Sequence, residues 1–251
     1  YRVGKHLLMR DYRKLDGRIA VSIPAYQFIS RHFPGDYKII PNGIRVDLYA
    51  NATPFPHLMD GKLNLLFVGR LEKRKGLKYL LGAYSRLKWD MPDIRLIVVG
   101  PGTPNAEVHR IISERNLQDV HFVGRVSYEE LPRYYQAAHV FCAPNIGKES
   151  FGIILIEAMA ASKPIVASHI EGFTNVMTHG REGLLVPPKD EVALADALAT
   201  LLSSPSLRQE MGARGRETAE HYRWERIAQR VLDYYLSVME TRRGAAVQRV
   251  G

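Results

Sequence analysis

Leu63-Asn64-Leu65-Leu66-Phe67-Val68-Gly69-Arg70 is the stretch that decides the fold. A short, nearly continuous apolar run ends on a glycine and a cation, and its kind recurs downstream. Runs at 94–99, 120–123, 139–143, 164–168 and 184–186 alternate with longer amphipathic stretches near 76–89, 104–116, 127–138, 151–162 and 171–179. Strands that are apolar almost throughout are buried on both faces, and helices between them imply a parallel sheet with right-handed crossovers. The expected fold class is α/β, a Rossmann-like parallel sheet with helices on both faces. Several strands close on glycine or proline: Val68-Gly69, Val99-Gly100-Pro101-Gly102, Val123-Gly124 and Ala143-Pro144. Such carboxyl ends are where open α/β sheets bind ligands.

Outside this repeat the chain reads differently. Segments 17–22 and 37–41 read as two strands around a helix at about 24–33, and Asn51-Ala52-Thr53-Pro54-Phe55-Pro56 reads as a linker. Two strands do not make a stable sheet alone, so they read as the tail end of another domain. Beyond the repeat, 190–202, 206–221 and 224–242 read as helices, with a polar, frayed end over about the last twelve residues. The expected organisation is a residual piece of another domain (1–50), a linker (51–61), the Rossmann-like domain (62–220), and a C-terminal helix with its tail (221–251).

Composition narrows the function. With 46% hydrophobic and 24% charged residues over 251 positions, disorder and low-complexity classes are excluded. The single cysteine, Cys142, excludes a disulfide framework and a cysteine-based zinc site, and its apolar run Val140-Phe141-Cys142-Ala143 makes it a buried, inert thiol. No apolar stretch approaches a membrane span, and the opening Tyr1-Arg2-Val3-Gly4 lacks the shape of a signal peptide, so a cytoplasmic location is expected. The net charge of +9 is concentrated: residues 1–50 hold nine Lys/Arg against four Asp/Glu, and 62–78 hold six against one. No basic run is interleaved with stacking aromatics, which argues against nucleic acid. A compact cationic knot suits a phosphate-bearing small molecule, or peripheral contact with an anionic membrane face.

Two segments carry the chemistry. In Pro144-Asn145-Ile146-Gly147-Lys148-Glu149-Ser150-Phe151-Gly152-Ile153-Ile154-Leu155-Ile156-Glu157-Ala158-Met159-Ala160 a strand ends, a polar loop follows, and an apolar helix begins near Phe151. A helix start offers unpaired N–H groups and a partial positive charge to phosphate, and Gly152 allows close approach to the backbone. Glu149, at the lip, either accepts hydrogen bonds from ligand hydroxyls or caps the helix. Glu157 lies in an otherwise apolar helix, so its carboxylate needs a partner, a core Arg or Lys being one option. In Gly69-Arg70-Leu71-Glu72-Lys73-Arg74-Lys75-Gly76 the strand end delivers Arg70, and Lys75 precedes the next helix. An arginine fork and a lysine point charge at a sheet's carboxyl edge suit a diphosphate, a solvated basic loop being the alternative.

These residues resemble the family 4 glycosyltransferases. Glu149 and Glu157 match the family's E-x7-E pattern, and Gly69-Arg70 with Lys75-Gly76 match its G-R-x4-K-G pattern. Pro41-Asn42-Gly43-Ile44 resembles its interdomain segment, and Gly183-Leu184-Leu185-Val186 its G-[LF]-L-V strand. The wording of 149–161 is similar to that of the phosphatidylinositol mannosyltransferases. The resemblance implies a GT-B fold of two Rossmann-like domains, residues 1–50 matching the end of the N-terminal acceptor domain. It implies a retaining hexosyltransferase, a GDP- or UDP-linked sugar donor as substrate, no metal or other cofactor, and a lipid or glycan acceptor.

By the same resemblance, Arg70 and Lys75 hold the donor diphosphate, joined at Gly69 and at the backbone of Ser150, Phe151, Gly152 and Ile153. Glu149 binds the transferred sugar, Glu157 the ribose hydroxyls, and the Val126 backbone the base. The chain departs from the family at Arg45, where an aspartate is usual. It departs again at Glu171-Gly172-Phe173, in place of G-G-x-x-E, and at Ser127, where mannosyltransferase relatives carry aspartate. Two other readings stay open: a non-catalytic nucleotide-sugar-binding module, and a GT-B epimerase using His139 or His169.

Overall fold

The computed structural model of the protein describes residues 8, 9 and 11–247, with side chains as far as 244. The elements run β1 (Ile19–Ala20), α1 (Ile23–Ser30), β2 (Lys38–Ile39), α2 (Val46–Ala50), β3 (Leu63–Val68), α3 (Leu77–Asp90), β4 (Ile94–Val99) and α4 (Ala106–Glu114). Then follow β5 (Val120–Gly124), α5 (Leu131–Ala137), β6 (Val140–Ala143), α6 (Ile153–Ala160), β7 (Ile165–Ser168) and α7 (Glu171–Thr174). The chain closes with β8 (Gly183–Val186), α8 (Glu191–Ser203), α9 (Pro205–Ala219) and α10 (Trp224–Val247).

The six apolar runs pair as one sheet, all parallel, in the order β5-β4-β3-β6-β7-β8. The chain winds outward from β3 in one direction and returns through β6 in the other, so the topological switch point lies between β3 and β6. Alternation along β3 feeds both faces. Leu66 and Val68 pack with Ile97, Phe141, Leu155 and Ile156, whereas Leu65 and Phe67 pack with Leu80, Leu96 and Leu198. Cys142 is buried, and burial pushes its thiol pKa up, as expected of an inert cysteine.

Element boundaries moved where polar side chains intervene. The helix expected at 127–138 starts at Leu131, because Ser127 and Glu130 exchange capping hydrogen bonds of 3.0 and 3.1 Å and spend one turn doing so. The stretch expected as helix at 171–179 is helical only to Thr174; the Asn175 side chain then donates to the Glu171 carbonyl (2.7 Å) and the chain turns. The frayed end expected over the last twelve residues is instead helix through Val247. Residues 248–251 and the opening tetrapeptide lie outside the described residues. No helix among those described is long and apolar enough to cross a membrane.

The described residues from β1 to β3 are tied down rather than loose. β1 and β2 form a parallel pair of two residues each. α10 fastens them: the Arg18 amide donates to the Tyr234 hydroxyl (2.9 Å), and Arg230 donates to the Ile39 carbonyl (3.2 Å). Ile44, Val46 and Tyr49 belong to the core under α5 and α6. In the stretch 51–61, Phe55 stacks on Tyr134 with the Arg133 guanidinium over its ring, and Leu58 is buried.

Candidate functional site

β3 ends at Val68, and the Gly69 amide still donates to the Val99 carbonyl (2.9 Å), so Arg70 is the first residue free of the sheet. One turn of 3-10 helix, Lys73–Lys75, follows and closes on Gly76 at φ +74°. A Cβ there would stand 1.9 Å from the Pro144 carbonyl oxygen, so only glycine allows this basic turn to lie on the end of β6. A second stitch runs from the Ile146 amide to the Arg74 carbonyl (2.9 Å). The switch-point crevice therefore has one rigid floor made from two loops.

That floor turns Lys75 inward. Its ammonium donates to Glu149 Oε2 at 2.6 Å, and Asn145 Nδ2 donates to the same oxygen at 3.0 Å. The Arg74 guanidinium lies 3.7 Å away. The Lys75 side chain is only 11% exposed, while Arg70 is 69% exposed and lies 3.5 Å from Glu72. Of the two cations read from the sequence, one reaches into solvent and the other is built into the wall. The basic loop is thus not uniformly solvated.

Glu149 does not cap α6. The cap position is Gly152, in the left-handed region at φ +75°, and no side chain bonds the first turn. A Cβ on Gly152 would meet Phe173 at 2.7 Å. The N-terminal amides of α6 are therefore left for a ligand. Gly69, Arg70, Lys75 and Val126 line one pocket of about 400 Å³ together with Arg74 and Arg125. Glu149 and Ser150 line a neighbouring pocket of about 780 Å³, whose far side is Pro24 and Phe28 of α1. Ser22, at the start of α1, donates to the Ser150 carbonyl (2.5 Å) and ties the two sides together. Ile153 is exposed at the helix start, while Phe151 buries its ring edge-on to Tyr222, so its side chain serves the core.

Glu157 finds a partner other than the core cation considered above. The Tyr135 hydroxyl donates to its Oε2 at 2.9 Å. Burial raises the Glu157 carboxyl to about 7, against the opposing effect of the Tyr135 and Tyr49 phenols. Of the histidines offered for acid–base work, His139 does not reach the site. His139 lies before β6, at the opposite edge of the sheet, and its Nδ1 accepts from the Asn64 amide (2.9 Å). Burial, with Arg208 and Lys163 nearby, lowers it to about 4, so it is neutral at pH 7. His169 follows β7 and donates its backbone amide to the Val186 carbonyl (2.7 Å). Sequence reasoning missed Asn145, Arg74, Tyr135 and Tyr49. Asn145, directly after β6 and four residues before Glu149, was within reach of a loop argument; the tyrosines had no local signal.

A doubly wound sheet with a cation-lined pocket over the carboxyl ends of β3, β4 and β5, and an uncapped helix with one glutamate just before it and one within it, has the architecture of one half of a GT-B fold. The comparisons with known proteins agree. The family described as glycosyl transferases group 1 matches residues 52–218, and the chain belongs to that family. It is 39% identical over 241 residues to the phosphatidyl-myo-inositol mannosyltransferase of Mycobacterium leprae, covering 94% of this chain and 63% of that protein. The D-inositol 3-phosphate glycosyltransferase of Pseudarthrobacter chlorophenolicus is 30% identical, with 99% and 61% covered. Among solved structures, sucrose-phosphate synthase from Thermosynechococcus elongatus superposes with a TM-score of 0.75 at 30% identity, covering 89% of this chain and 58% of that one. Anabaena HepE, in complex with UDP and glucose, superposes at 0.80 with 22% identity, covering 94% and 67%, a likeness of fold. The chain spans under two thirds of the length of these two sequence relatives.

Proposed function

We propose that this chain supplies the donor-binding half of a retaining glycosyltransferase. Its donor is a hexose, mannose by the relatives' names, on a GDP or UDP leaving group, and its acceptor is a lipid or glycan. The observation that carries the reading is the 400 Å³ pocket over the carboxyl ends of β3, β4 and β5, lined by Arg70, Arg74, Lys75 and Arg125, whose Lys75 reaches Glu149 just before the open start of α6. Breaking a sugar–phosphate bond puts charge on the leaving diphosphate, and cations fixed in advance meet that charge without reorganising. In this mechanism a divalent metal is not required, because guanidinium and ammonium groups do its work.

Glu149 then faces the transferred sugar from the adjoining pocket, and Glu157 faces the ribose. Lys75 exchanges its Glu149 partner for a phosphate oxygen as the donor enters, which frees a carboxylate oxygen for sugar hydroxyls. The relatives' names favour an inositol-bearing acceptor. Titration calorimetry with GDP and with UDP, each with and without EDTA, tests the reading. One of them is expected to bind with unchanged affinity in EDTA. Loss of binding on chelation overturns the metal-free mechanism, and no binding by either overturns the donor site.

A further inference from the structure

We infer that Tyr49 and Tyr135 form a two-phenol clamp that positions the Glu157 carboxylate for a ligand's vicinal hydroxyls, which makes Tyr49, from a segment before the family domain, a positioning residue of the donor site. The inference rests on the reading of this site as one for a nucleoside diphosphate. Tyr135 belongs to α5 and donates to Glu157 Oε2 at 2.9 Å. Tyr49 belongs to α2, which is fixed to α5 by the Gln136 side chain: its Nε2 donates to the Tyr49 carbonyl at 2.6 Å and to the Ala50 carbonyl at 3.2 Å. The two rings meet edge-on with centroids 5.6 Å apart.

Tyr49 is 1% exposed, and its hydroxyl is buried without a hydrogen-bond partner among the described residues. An unpaired buried hydroxyl is costly, and phenylalanine would fill the same volume without that cost. It lies beside Tyr135, the donor to Glu157, and the Glu157 charge raises the Tyr49 pKa alongside burial. The titratable groups facing the carboxylate are Tyr49 from α2, Tyr135 from α5, and Tyr128 from the turn before α5. Every one of them is a neutral hydroxyl at pH 7; Tyr135 donates to the carboxylate, and the phenols oppose the burial that raises its pKa. Glu157 as a residue is of intermediate burial, and burial is the main cause that raises its carboxyl. Its pKa near 7 places the change from acid to carboxylate inside the working pH range, and the carboxylate accepts at both oxygens and more strongly, whereas the acid carries a donor on one of them.

The test has two arms. Carbon-13 NMR of the Glu157 carboxyl, in the free protein and in Tyr49→Phe, reads the clamp without any ligand. The midpoint is expected to rise by about half a pH unit or more when the phenol is removed. An unchanged midpoint overturns the role of Tyr49, and a spacer phenol would leave it unchanged. Calorimetry from pH 6 to 8 with GDP and UDP, against inorganic pyrophosphate, reads the consequence. Nucleotide affinity is expected to rise about tenfold over that range, pyrophosphate affinity much less, and Tyr49→Phe should move the nucleotide profile to higher pH. A pyrophosphate profile as steep as the nucleotide's overturns the ribose role. If neither nucleotide binds at any pH while the NMR midpoint still moves, the donor reading fails and takes the ribose role with it, leaving the clamp.

Discussion

Lys75 and Arg70 are both cations of one short loop, yet they stand to the protein in opposite ways. Arg70 projects into solvent, and Lys75 is walled in against Glu149. Each alanine substitution is expected to weaken nucleoside diphosphate binding by roughly 1.5–3 kcal/mol, the range for hydrogen bonds to charged groups. They should differ in stability. Arg70→Ala should melt with the parent protein. Lys75→Ala strips the short ion pair from a partly buried carboxylate and should melt measurably lower. Calorimetric titration and thermal melts of the same two samples read both quantities; equal melting would mean that Lys75 is not part of the wall. The loop's chemistry was legible in the sequence because Arg70, Lys75, Glu149 and Glu157 lie at fixed spacings along two short segments. The burial of Lys75 was not, because it depends on Gly76 lying against Pro144, a contact between segments. Tyr49 and Tyr135 were illegible for the same reason: nothing near either in the chain says that a carboxylate from α6 will lie beside it.

Between elements, polar clasps set what the hydrophobic pattern leaves loose. At the amino edge of the sheet Asp119, just before β5, accepts from Lys62 ahead of β3 (2.6 Å) and from Lys88 near the end of α3 (2.7 Å). Those hydrogen bonds lower its pKa from 3.8 to about 2. Because the folded value lies below the free one, the clasp stabilises fully above about pH 4 and its contribution is lost as pH falls through about 2. Asp119→Asn should therefore cost about 2 kcal/mol at pH 7 and progressively less below pH 4. Urea unfolding of both proteins at several pH values checks this; a difference that is constant with pH would mean that the carboxylate's charge is not what holds the edge. Strand positions were legible at this scale, since apolar runs buried on both faces show plainly in a sequence. Helix limits were less so. Ser127–Glu130 and Asn175 spend their side chains on local backbone, and each displaced an end that periodicity alone had put elsewhere.

As a whole molecule, the chain is one complete doubly wound sheet with a small second sheet fastened to its side. The small sheet contributes α1, and α1 supplies Pro24 and Phe28 to the far wall of the pocket beside Glu149. That wall is thin. Its fastening comes from α10 through Tyr234 and Arg230, and from Ser22 to the loop at Ser150. Sugar transfer needs donor and acceptor held at close range, and such positioning supplies a large share of an enzyme's rate enhancement. The cations, the open helix start and both glutamates stand on the complete sheet, so donor binding needs only what this chain folds by itself. Holding an acceptor against the donor needs an opposite wall broader than one eight-residue helix. The 251-residue chain is therefore expected to bind its nucleotide sugar, to hydrolyse it slowly as water reaches the uncovered sugar, and to transfer nothing at a useful rate. Incubating the purified chain with radiolabelled GDP-mannose and with UDP-glucose, in the presence of inositol lipid vesicles, separates free sugar from glycosylated lipid. Efficient labelling of the lipid would place the acceptor in the pocket between α1 and the 147–150 loop, and the thin wall would then be wall enough.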